Sequence, residues 1–437
     1  MAGGGLAGAE AAHQLLRCGL PVTLVEARPS VQSPAHHTLL LGELVCSNSL
    51  RSAAAGTAPG LLKEEMRRAG SLIMTAADAT RVPAGSALAV NREAFAWQVT
   101  SRLLLRRGFR LRRHALGALP EAPAVLASGP LTSAGMSRAL SGLSGGKLYF
   151  YDAIAPVVDA ASIDWDRVFY GARREPDSKD YVNCPMDRRQ YEALVTALRE
   201  AGTVPRRSFE EPRYFEGCLP VEVMAGRGYE VLSHGPLRPV GLTDPRSSRR
   251  PHAVVQLRAE DLAGSSYNLV GFQTRMLRPE QRRVFRMIPG LERATFLRYG
   301  SVHRNTYLDA PRLLGPRLEL REAPGVKVAG QISGVEGYLE STAMGLVAGL
   351  LLAAELRGRE LSTPPRTTAL GSLVDHITRP RALGEHFEPS NITFGLLPTP
   401  EQRIRKKRER RLAVCERALN DLQGWIESVE ELLRVES

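Results

Sequence analysis

The stretch that decides the fold is GGGLAGAEAAHQLLRCGLPVTLVE, residues 3–26. Its first six residues fit the pattern G-x-G-x-x-G, with glycine at Gly3, Gly5 and Gly8. Apolar residues then recur at helical spacing as far as Gly19, and the following PVTLVE predicts a strand that ends in Glu26. In a dinucleotide-binding unit the glycines let the backbone approach a pyrophosphate at a helix N-terminus, and the acid binds ribose hydroxyls. The stretch predicts a Rossmann-type nucleotide site, with a structural glycine-rich turn as the simpler alternative.

The strand that normally precedes such a glycine turn is missing from the pattern. Only Met1 and Ala2 come before Gly3, whereas about five apolar residues are expected. That strand is central in a parallel sheet, so its loss would expose the edges of its neighbours. We expect either a start assigned too late or a truncated chain, and we favour the misplaced start.

Later segments continue the α/β pattern. The segment from Ala124, AVLASGP, predicts a strand and a turn, and the segment from Val326 predicts a strand, a glycine-rich turn containing Gly330, and a helix from about Ser341. These segments assign residues 1–150 and 300–360 to one discontinuous nucleotide-binding domain. Residues 151–299 are rich in Pro and aromatic residues and contain predicted strands, which indicates an inserted α+β domain. Residues 361–437 form a mostly helical extension. Its last helix is predicted to be amphipathic, with an apolar face formed by Leu412, Leu419, Leu422, Trp425 and Ile426.

The composition restricts the class of protein and its partners. The chain has 437 residues, of which 43% are hydrophobic and 24% charged, which excludes collagen-like, coiled-coil and disordered chains. The net charge is +12, and only six of the 58 basic residues are Lys. An arginine excess favours an anionic partner such as RNA, or it reflects a genome-wide preference for arginine. The basic run RIRKKRERR at 403–411 is either a solvated helix face or an RNA contact.

Cysteine usage and hydropathy point to a reduced protein of the cytoplasm. The five cysteines include no CxxC pair, so neither a disulfide framework nor a zinc site is predicted. The N-terminus has no basic segment followed by an apolar core, and no apolar run reaches the ~20 residues of a membrane span. We therefore expect no secretion signal, no membrane association and no metal.

Two cysteines lie in segments suited to chemistry. Cys46 lies in ELVCSNSLRS, between an apolar run and a polar turn, and this setting alone fits a buried structural thiol better than a reactive one. Cys218 lies in YFEGCLPVEVMA on a turn before Leu219, which fits a nucleophile or a structural residue equally. Cys184 is expected to be structural. Further polar candidates in punctuated segments are His36, His37, Arg51, Arg81, Asn91, Arg92, Asp152, Asn183, His303, Arg304 and Asn305.

Many longer strings occur in order along the chain, and together they resemble one family. They include GGGLAGAEAA, SPAHHT, ELVCSNSLRS, GLLKEEMRRAGSLIM, YFYDAIAPVV, YVNCPM, YFEGCLPVEVMA, NLVGFQT, HRNTYL and GQISGVEGYLES. Over residues 3–411 the chain resembles the folate- and FAD-dependent tRNA (uracil-5-)-methyltransferases. It is more distantly similar to the FAD protein that modifies wobble uridine in tRNA.

The resemblance implies a fold, a reaction and its cofactors. The fold is a glutathione-reductase-like, Rossmann-type α/β domain that binds FAD, with an α+β insertion domain. The reaction is methylation of C5 of the T-loop uridine, position 54, of tRNA. Methylenetetrahydrofolate supplies the carbon, reduced FAD carries the methylene and the reducing equivalents, and NADH or NADPH reduces the flavin. No obligate protein partner is expected.

The resemblance also implies roles for particular residues. Cys218 is assigned as the nucleophile that adds to C6 of uracil, and Cys46 as its acid/base or protective partner, with the reverse assignment open. Glu26 is the ribose acid and Gly330 lies near the flavin. The FAD pyrophosphate turn comprises Gly3, Gly4, Gly5, Leu6, Ala7 and Gly8.

Two other functions remain open at this point. The same chemistry on a ribosomal RNA uridine would use the same motifs. A flavin-free RNA-binding protein is the expectation if the short N-terminus is real. In either case a folded RNA substrate must be bound by shape and phosphate, and an enzyme must extrude the target base.

Overall fold

A computed structural model describes residues 1–33, 35–143, 147–173, 175, 178–204, 219–247, 250–382, 385–400 and 404–434, and gives the backbone alone at 147–153 and 302–304. The α-helices of this part of the chain are α1 Leu6–Arg17, α2 Ala58–Arg68, α3 Leu72–Ala79, α4 Arg92–Leu104, α5 Ala134–Ser141, α6 Arg188–Glu200, α7 Val221–Gly226, α8 Val231–His234, α9 Arg278–Phe285, α10 Ala310–Leu313, α11 Tyr338–Leu356, α12 Ala369–Thr378 and α13 Lys407–Leu433.

The strands are short and belong to several sheets. In chain order they are β1 Val22–Glu26, β2 Ser49–Ser52, β3 Arg81–Val82, β4 Ala87–Val90, β5 Phe109–Arg113, β6 Ala124–Leu126, β7 Lys147–Ile154, β8 Val157–Asp159, β9 Phe169–Tyr170, β10 Val182–Met186, β11 Ala253–Ala259, β12 Ser266–Leu269, β13 Phe296–Arg298, β14 Ser301–Leu308, β15 Glu319–Leu320 and β16 Ala323–Val328.

The first residues of the chain lie at the centre of a mainly parallel sheet. Ala2 bridges in parallel to Val25 of β1 on one side and to Leu126 of β6 on the other. Beyond them β5 pairs with β1, and β16 pairs with β6, both in parallel. The order is therefore β5–β1–residues 1–3–β6–β16–β15, and the prediction of a Rossmann-type α/β fold is confirmed. Residues 1–3 occupy the place of the strand that the sequence pattern lacks.

Close contact between α1 and α11 organises the core beneath this sheet. A Cβ atom at Gly345 would lie 2.3 Å from the carbonyl oxygen of Ala7, and one at Gly349 would lie 2.8 Å from Cα of Ala11. Only glycine permits this approach. Because Gly345 lies against Ala7 and Gly349 against Ala11, the two helices run in parallel, and both N-termini reach the same edge of the sheet. Helix α11 begins at Tyr338, three residues before the predicted start.

Helix α11 is long and apolar enough to cross a membrane by length and composition, the one such helix among the described residues. However, 83% of its apolar window is buried inside the protein. It contributes Leu346, Val347 and Leu350 to the large core cluster formed with α1, α2 and α3. It therefore packs as a core helix.

A second sheet has its own core. It is antiparallel, with the order β13–β8–β12–β11–β10–β9. Helices α6, α7 and α9 contribute Leu194, Val221 and Phe285 to a hydrophobic cluster on this sheet. The antiparallel pair β7–β14, with Ile154 opposite Ser301, connects the two regions.

The C-terminal helices pack on the first core. Leu422, Trp425 and Ile426 of α13 are buried there, as the amphipathic pattern predicts. Leu412 was expected on the same face but remains 44% exposed, because it lies in the first turns of α13 where the helix passes over Gly56 at its margin. The described part of the basic run, residues 404–411, is solvent-accessible.

Candidate active site

The glycine turn opens toward a cleft at the sheet edge. Gly3 has φ +107°, and a Cβ there would lie 2.2 Å from the carbonyl oxygen of Ala127, while a Cβ at Gly8 would lie 1.9 Å from the carbonyl oxygen of Gly3. A Cβ at Gly5 would meet nothing within 4 Å. Gly3 and Gly8 are therefore required by packing, whereas Gly5 faces open space. Among the described residues no side chain caps α1, so its first N–H groups are available to an anion.

Glu26 is tied to this turn. Its Oε2 accepts a 2.8 Å hydrogen bond from the backbone N–H of Gly4, and its Oε1 accepts from the Arg28 side chain at 2.8 Å. Burial raises the pKa of Glu26, but the hydrogen bonds and charge of Arg28 and the Gly4 bond outweigh burial and hold the pKa below its usual range. The carboxylate is therefore ionised, and in this form both of its oxygens can only accept hydrogen bonds, which suits a hydroxyl donor.

Turn and acid line one cleft of about 450 Å³. This volume falls in the usual range for small-molecule sites, ~300–1,000 Å³. Its walls include the turn residues 2–7, the β1 end, the segment 127–134 and Gly330. The open position at Gly5, the uncapped α1 N-terminus and the ionised Glu26 fit the pyrophosphate and ribose of a dinucleotide such as FAD.

Cys46 is held near the wall of this cleft by Tyr338, a cleft residue at the start of α11. The Sγ atom of Cys46 lies 2.9 Å from Oη of Tyr338. The same oxygen accepts hydrogen bonds from the backbone N–H of Cys46 at 2.7 Å and of Ser47 at 3.3 Å. Helix α11 therefore fixes the Cys46 loop beside the cleft.

Three arginines, of which Arg258 is buried and Arg92 and Arg298 are partly buried, hold the same loop from other elements. Arg92 of α4 donates to the carbonyl oxygen of Leu44 at 3.1 Å and pairs with Glu260. Arg258 of β11 donates to the side chains of Asn48 and Ser47, each at 2.9 Å. Arg298 of β13 donates to the carbonyl oxygen of Val45 at 3.4 Å. Because these arginines come from both sides of the molecule, Cys46 lies where the two cores meet.

The arginines place excess positive charge beside the thiol. Burial, and then the charge of Arg92, lower the pKa of Arg298 to about 10, so it still carries its charge at neutral pH. Within the described residues, Nε and Nη2 of Arg298 have no hydrogen-bond partner. Arg92 and Arg298 both interact electrostatically with Cys46. A neighbouring positive charge favours a thiolate over a thiol.

Arg51 and Glu340 add a second link between the loop and α11. Arg51 has φ +62°, a conformation that side chains rarely adopt. Its guanidinium donates to Oε1 of the fully buried Glu340 at 2.6 Å, and the backbone N–H of Ile392 donates to the same oxygen at 2.8 Å. The strained backbone is thus held by an ion pair.

The other polar candidates divide into cleft and structural residues. His36 lines the cleft and bonds Ser33. Asn91 caps α4, and Asn183 bonds the carbonyl oxygens of Phe169 and Gly171 inside the second sheet, so both are structural. The remaining ones are scattered: His37 bonds Glu43 through its backbone, Arg81 is exposed, and Asn305 is buried in β14.

Four candidates lie wholly or partly outside the described residues. Cys218 lies in 205–218, outside the described residues, and the side chains of Asp152, His303 and Arg304 are also outside them. Cys184 is fully buried in the second core, and burial raises its pKa far above the usual range. It is therefore an inert thiol.

Sequence reasoning missed Tyr338, Arg258 and Arg298. Tyr338 lies in GQISGVEGYLES, and an aromatic residue directly after a glycine turn at a helix start was the only signal available for it. The two arginines lie in strands HAVVQLR and FLR, where nothing in the local pattern distinguishes them from solvated residues.

Comparisons with known proteins identify the family of this chain. The sequence model of the family described as glucose inhibited division protein A matches residues 1–360. Relatives from Pelobacter propionicus and Geobacter sulfurreducens are each 54% identical over 98% of this chain, and the alignments cover 94% and 98% of the relatives. Both are named methylenetetrahydrofolate–tRNA-(uracil-5-)-methyltransferase TrmFO.

Solved structures show the same fold. Two crystal forms of GidA from Aquifex aeolicus superpose with a TM-score of 0.68 at 15% and 16% identity. The matches cover 100% and 99% of this chain, and 74% and 76% of the GidA chains. At this identity the match establishes the shared architecture.

Proposed function

Because this chain belongs to the family of methylenetetrahydrofolate–tRNA-(uracil-5-)-methyltransferases, we propose that it methylates C5 of the T-loop uridine, position 54, of tRNA. It is a folate-dependent tRNA uridine methyltransferase with an FAD-binding α/β fold. The observation that carries the proposal is the position of Cys46. Tyr338 lines the dinucleotide cleft, and its Oη lies 2.9 Å from the sulfur of Cys46.

The chemistry at uracil explains the need for two thiols. C5 of uracil is a poor nucleophile until a thiolate adds at C6 and moves the ring electrons toward C5. We assign this addition to Cys218, and we assign Cys46 to the proton at C5 or to the protection of its partner thiol. After C5 has acquired the folate carbon and lost its proton, elimination of the Cys218 thiolate restores the ring.

The residues that would hold FAD are those of the glycine turn and its acid. Gly3, Gly4, Gly5, Leu6, Ala7 and Gly8 form the pyrophosphate turn, Glu26 binds the ribose, and Gly330 adjoins the flavin. When bound, FAD supplies the carrier and hydride chemistry that turns a methylene into a methyl group. NADH or NADPH would supply the reducing equivalents. Gly330 has φ +83°, and a Cβ there would lie 2.9 Å from Cβ of Ala7. This close packing against the glycine turn on the cleft wall supports the assignment of Gly330.

A basic edge supports the choice of RNA as substrate. Between Glu93 and Glu121 the chain has no acidic residue and six arginines. We define the basic edge as the five exposed ones, on α4, β5 and their connection: Arg102, Arg106, Arg107, Arg110 and Arg112. Among the described residues none of them forms an ion pair, whereas exposed Arg167, Arg188 and Arg283 each do. Unpaired arginines on a sheet edge suit phosphate contacts.

The basic edge leads to the cleft. Strand β5 ends at Arg113, whose guanidinium bonds the backbone of Arg28 and Leu39, and the next residue, His114, lines the cleft. Phosphates bound along β5 would therefore approach the cleft mouth. The domain boundaries given above, 1–150 with 300–360, 151–299 and 361–437, remain part of this proposal. The separate hydrophobic clusters of the two sheets support the boundary around 151–299, whereas residues 361–437 pack in the first cluster.

The test of the cysteine roles uses a trapped adduct. The reaction contains methylenetetrahydrofolate, NADPH and tRNA that carries 5-fluorouridine. Fluorine replaces the C5 proton, so the thiolate at C6 cannot be eliminated once C5 has acquired the folate carbon. We expect a covalent complex of protein and tRNA that maps to Cys218 and forms in the Cys46→Ala protein but not in Cys218→Ala. An adduct on Cys46 would reverse the two roles. If a ribosomal RNA fragment is captured in preference to tRNA, ribosomal RNA is the substrate.

A further inference from the structure

Among the described residues, three polar groups lie within hydrogen-bond distance of the Tyr338 hydroxyl. Its Oη lies 2.7 Å from the backbone nitrogen of Cys46, 3.3 Å from that of Ser47 and 2.9 Å from Sγ of Cys46. A backbone N–H can only donate, and a tyrosine hydroxyl has two acceptor positions and one hydrogen. The two N–H groups occupy the acceptor positions. The hydrogen of the hydroxyl is then directed to the sulfur.

We propose that Tyr338 is a positioning residue that donates its hydroxyl hydrogen to the Cys46 sulfur and so maintains a thiolate ready to accept a proton. This inference rests on the acid/base role assigned to Cys46 above. A hydrogen bond donated to the charged form of a group favours that form. Tyr338 would thus convert a cysteine in an ordinary loop into a base.

The surroundings keep Tyr338 a donor. It is fully buried, and burial followed by the negative charge of Cys46 holds the pKa of Tyr338 well above its usual range. Among the described residues, Arg92 of α4 and Arg298 of β13 interact electrostatically with both members of the pair, and Glu260, after β11, interacts with these two arginines. Two positive charges against one negative charge leave a net attraction for a thiolate. The hydroxyl therefore keeps its hydrogen, and the donated hydrogen bond and the positive charges both favour the thiolate form of the sulfur.

The proton transfer this permits is balanced. The C5–H bond of the uracil breaks, an S–H bond forms on Cys46, and the electron pair of the broken bond stays in the uracil. The O–H bond of Tyr338 is intact before and after the step. The thiol later releases its proton to solvent, which restores the thiolate without an oxidant or a reductant.

The test measures the ionisation of Cys46 directly. The FAD-loaded protein is alkylated with iodoacetamide over a range of pH, and the rate at Cys46 is followed by peptide mass spectrometry. Since only the thiolate reacts, the pH profile gives the apparent pKa of Cys46. In Tyr338→Phe we expect this pKa to rise by about 1–2 units, the effect of one hydrogen bond to a charged group. An unchanged pKa in Tyr338→Phe would overturn the proposal.

Two further variants separate this effect from a general loss of structure. Tyr191→Phe removes the hydroxyl of another buried tyrosine, which bonds Tyr229 and Ser233 in the second core, and we expect it to leave the Cys46 profile unchanged. If Tyr338→Phe does not fold, a fluorotyrosine at position 338 keeps the shape and is a stronger donor. It should lower the apparent pKa of Cys46, and a rise would contradict the assignment.

This readout does not depend on methylation. A shifted profile in Tyr338→Phe establishes the hydrogen bond even if the role of Cys46 in catalysis fails. That failure would appear separately, as normal methylation by the Cys46→Ala protein.

Discussion

Oε2 of Glu26 accepts a hydrogen bond of 2.8 Å from the backbone N–H of Gly4, and this bond joins the acid at the end of β1 to the glycine turn. Arg28 neutralises the other carboxylate oxygen and in turn bonds Glu43. The two segments that contact a dinucleotide are therefore fixed to each other by the protein itself. Such preorganisation lowers the entropy lost when the ligand binds.

The Glu26 carboxylate should contribute strongly to FAD affinity. In Glu26→Gln the amide loses the charge that ribose hydroxyls and the Gly4 N–H require, at a cost of about 2 kcal/mol. We expect FAD to bind roughly 30-fold more weakly, as measured by flavin fluorescence titration of the apoprotein. Glu93→Gln, at an exposed position in the first turn of α4, is the control. Equal affinity in Glu26→Gln and Glu93→Gln would remove Glu26 from the site.

Substitutions at Gly5 and Gly8 should affect different properties, flavin binding and folding stability. Gly5→Val places its side chain in open space, so we expect near-normal thermal stability and loss of bound flavin. Gly8→Ala forces a Cβ against the carbonyl oxygen of Gly3 and should cost about 1–3 kcal/mol of folding free energy. Calorimetry and flavin absorbance of the two variants distinguish these effects. A stable Gly5→Val protein that retains its flavin absorbance would show that Gly5 does not face FAD.

The nucleotide site was predictable because its signals are local. The glycine turn, α1, β1 and Glu26 lie within 24 consecutive residues, and each follows from periodicity or from turn chemistry. The environment of Cys46 was not predictable in this way. Tyr338 is 292 residues away in sequence, and Arg92, Arg258 and Arg298 lie on three separate elements. Tertiary packing alone brings them together.

The basic edge should determine tRNA affinity and its dependence on salt. We expect the triple variant Arg106→Gln, Arg107→Gln, Arg110→Gln to raise KM for tRNA with little change in kcat. The slope of log affinity against log salt should fall by about 2–3, because each phosphate contact contributes roughly 0.7–0.9.

A matched variant controls for net charge. Arg167→Gln, Arg188→Gln, Arg283→Gln also removes three exposed positive charges, but each of these arginines is paired with a glutamate. It should change tRNA binding far less. Equal effects of the two triple variants would show that total charge, and not the basic edge, attracts tRNA.

The contribution of Glu65 to the free energy of unfolding should fall as the pH rises. This fully buried carboxyl accepts hydrogen bonds from the backbone N–H groups of Ala369 and Leu370 at the start of α12. Burial raises its pKa from 4.5 to about 8 although these bonds oppose the rise. Between these values the folded protein retains a proton that the unfolded chain has lost. The stabilising contribution is complete below pH ~4.5 and is lost progressively up to pH 8, by at most about 1.4 kcal/mol per pH unit.

Urea unfolding at pH 5 and pH 8 measures this contribution. In Glu65→Gln the difference in unfolding free energy between the two pH values should be smaller than in the unsubstituted protein. The adjacent, partly exposed Glu64→Gln should leave the difference unchanged. A pH dependence that persists undiminished in Glu65→Gln would assign the effect to other groups.

The most direct test of the central claim follows the carbon atom. The purified protein is given tRNA that lacks the T-loop methyl group, methylenetetrahydrofolate labelled in its methylene carbon, and NADPH, and the T-loop fragment is analysed by mass spectrometry. We predict labelled 5-methyluridine at position 54, absent with the Cys218→Ala protein. A protein that retains FAD but leaves the T-loop unlabelled would contradict the account.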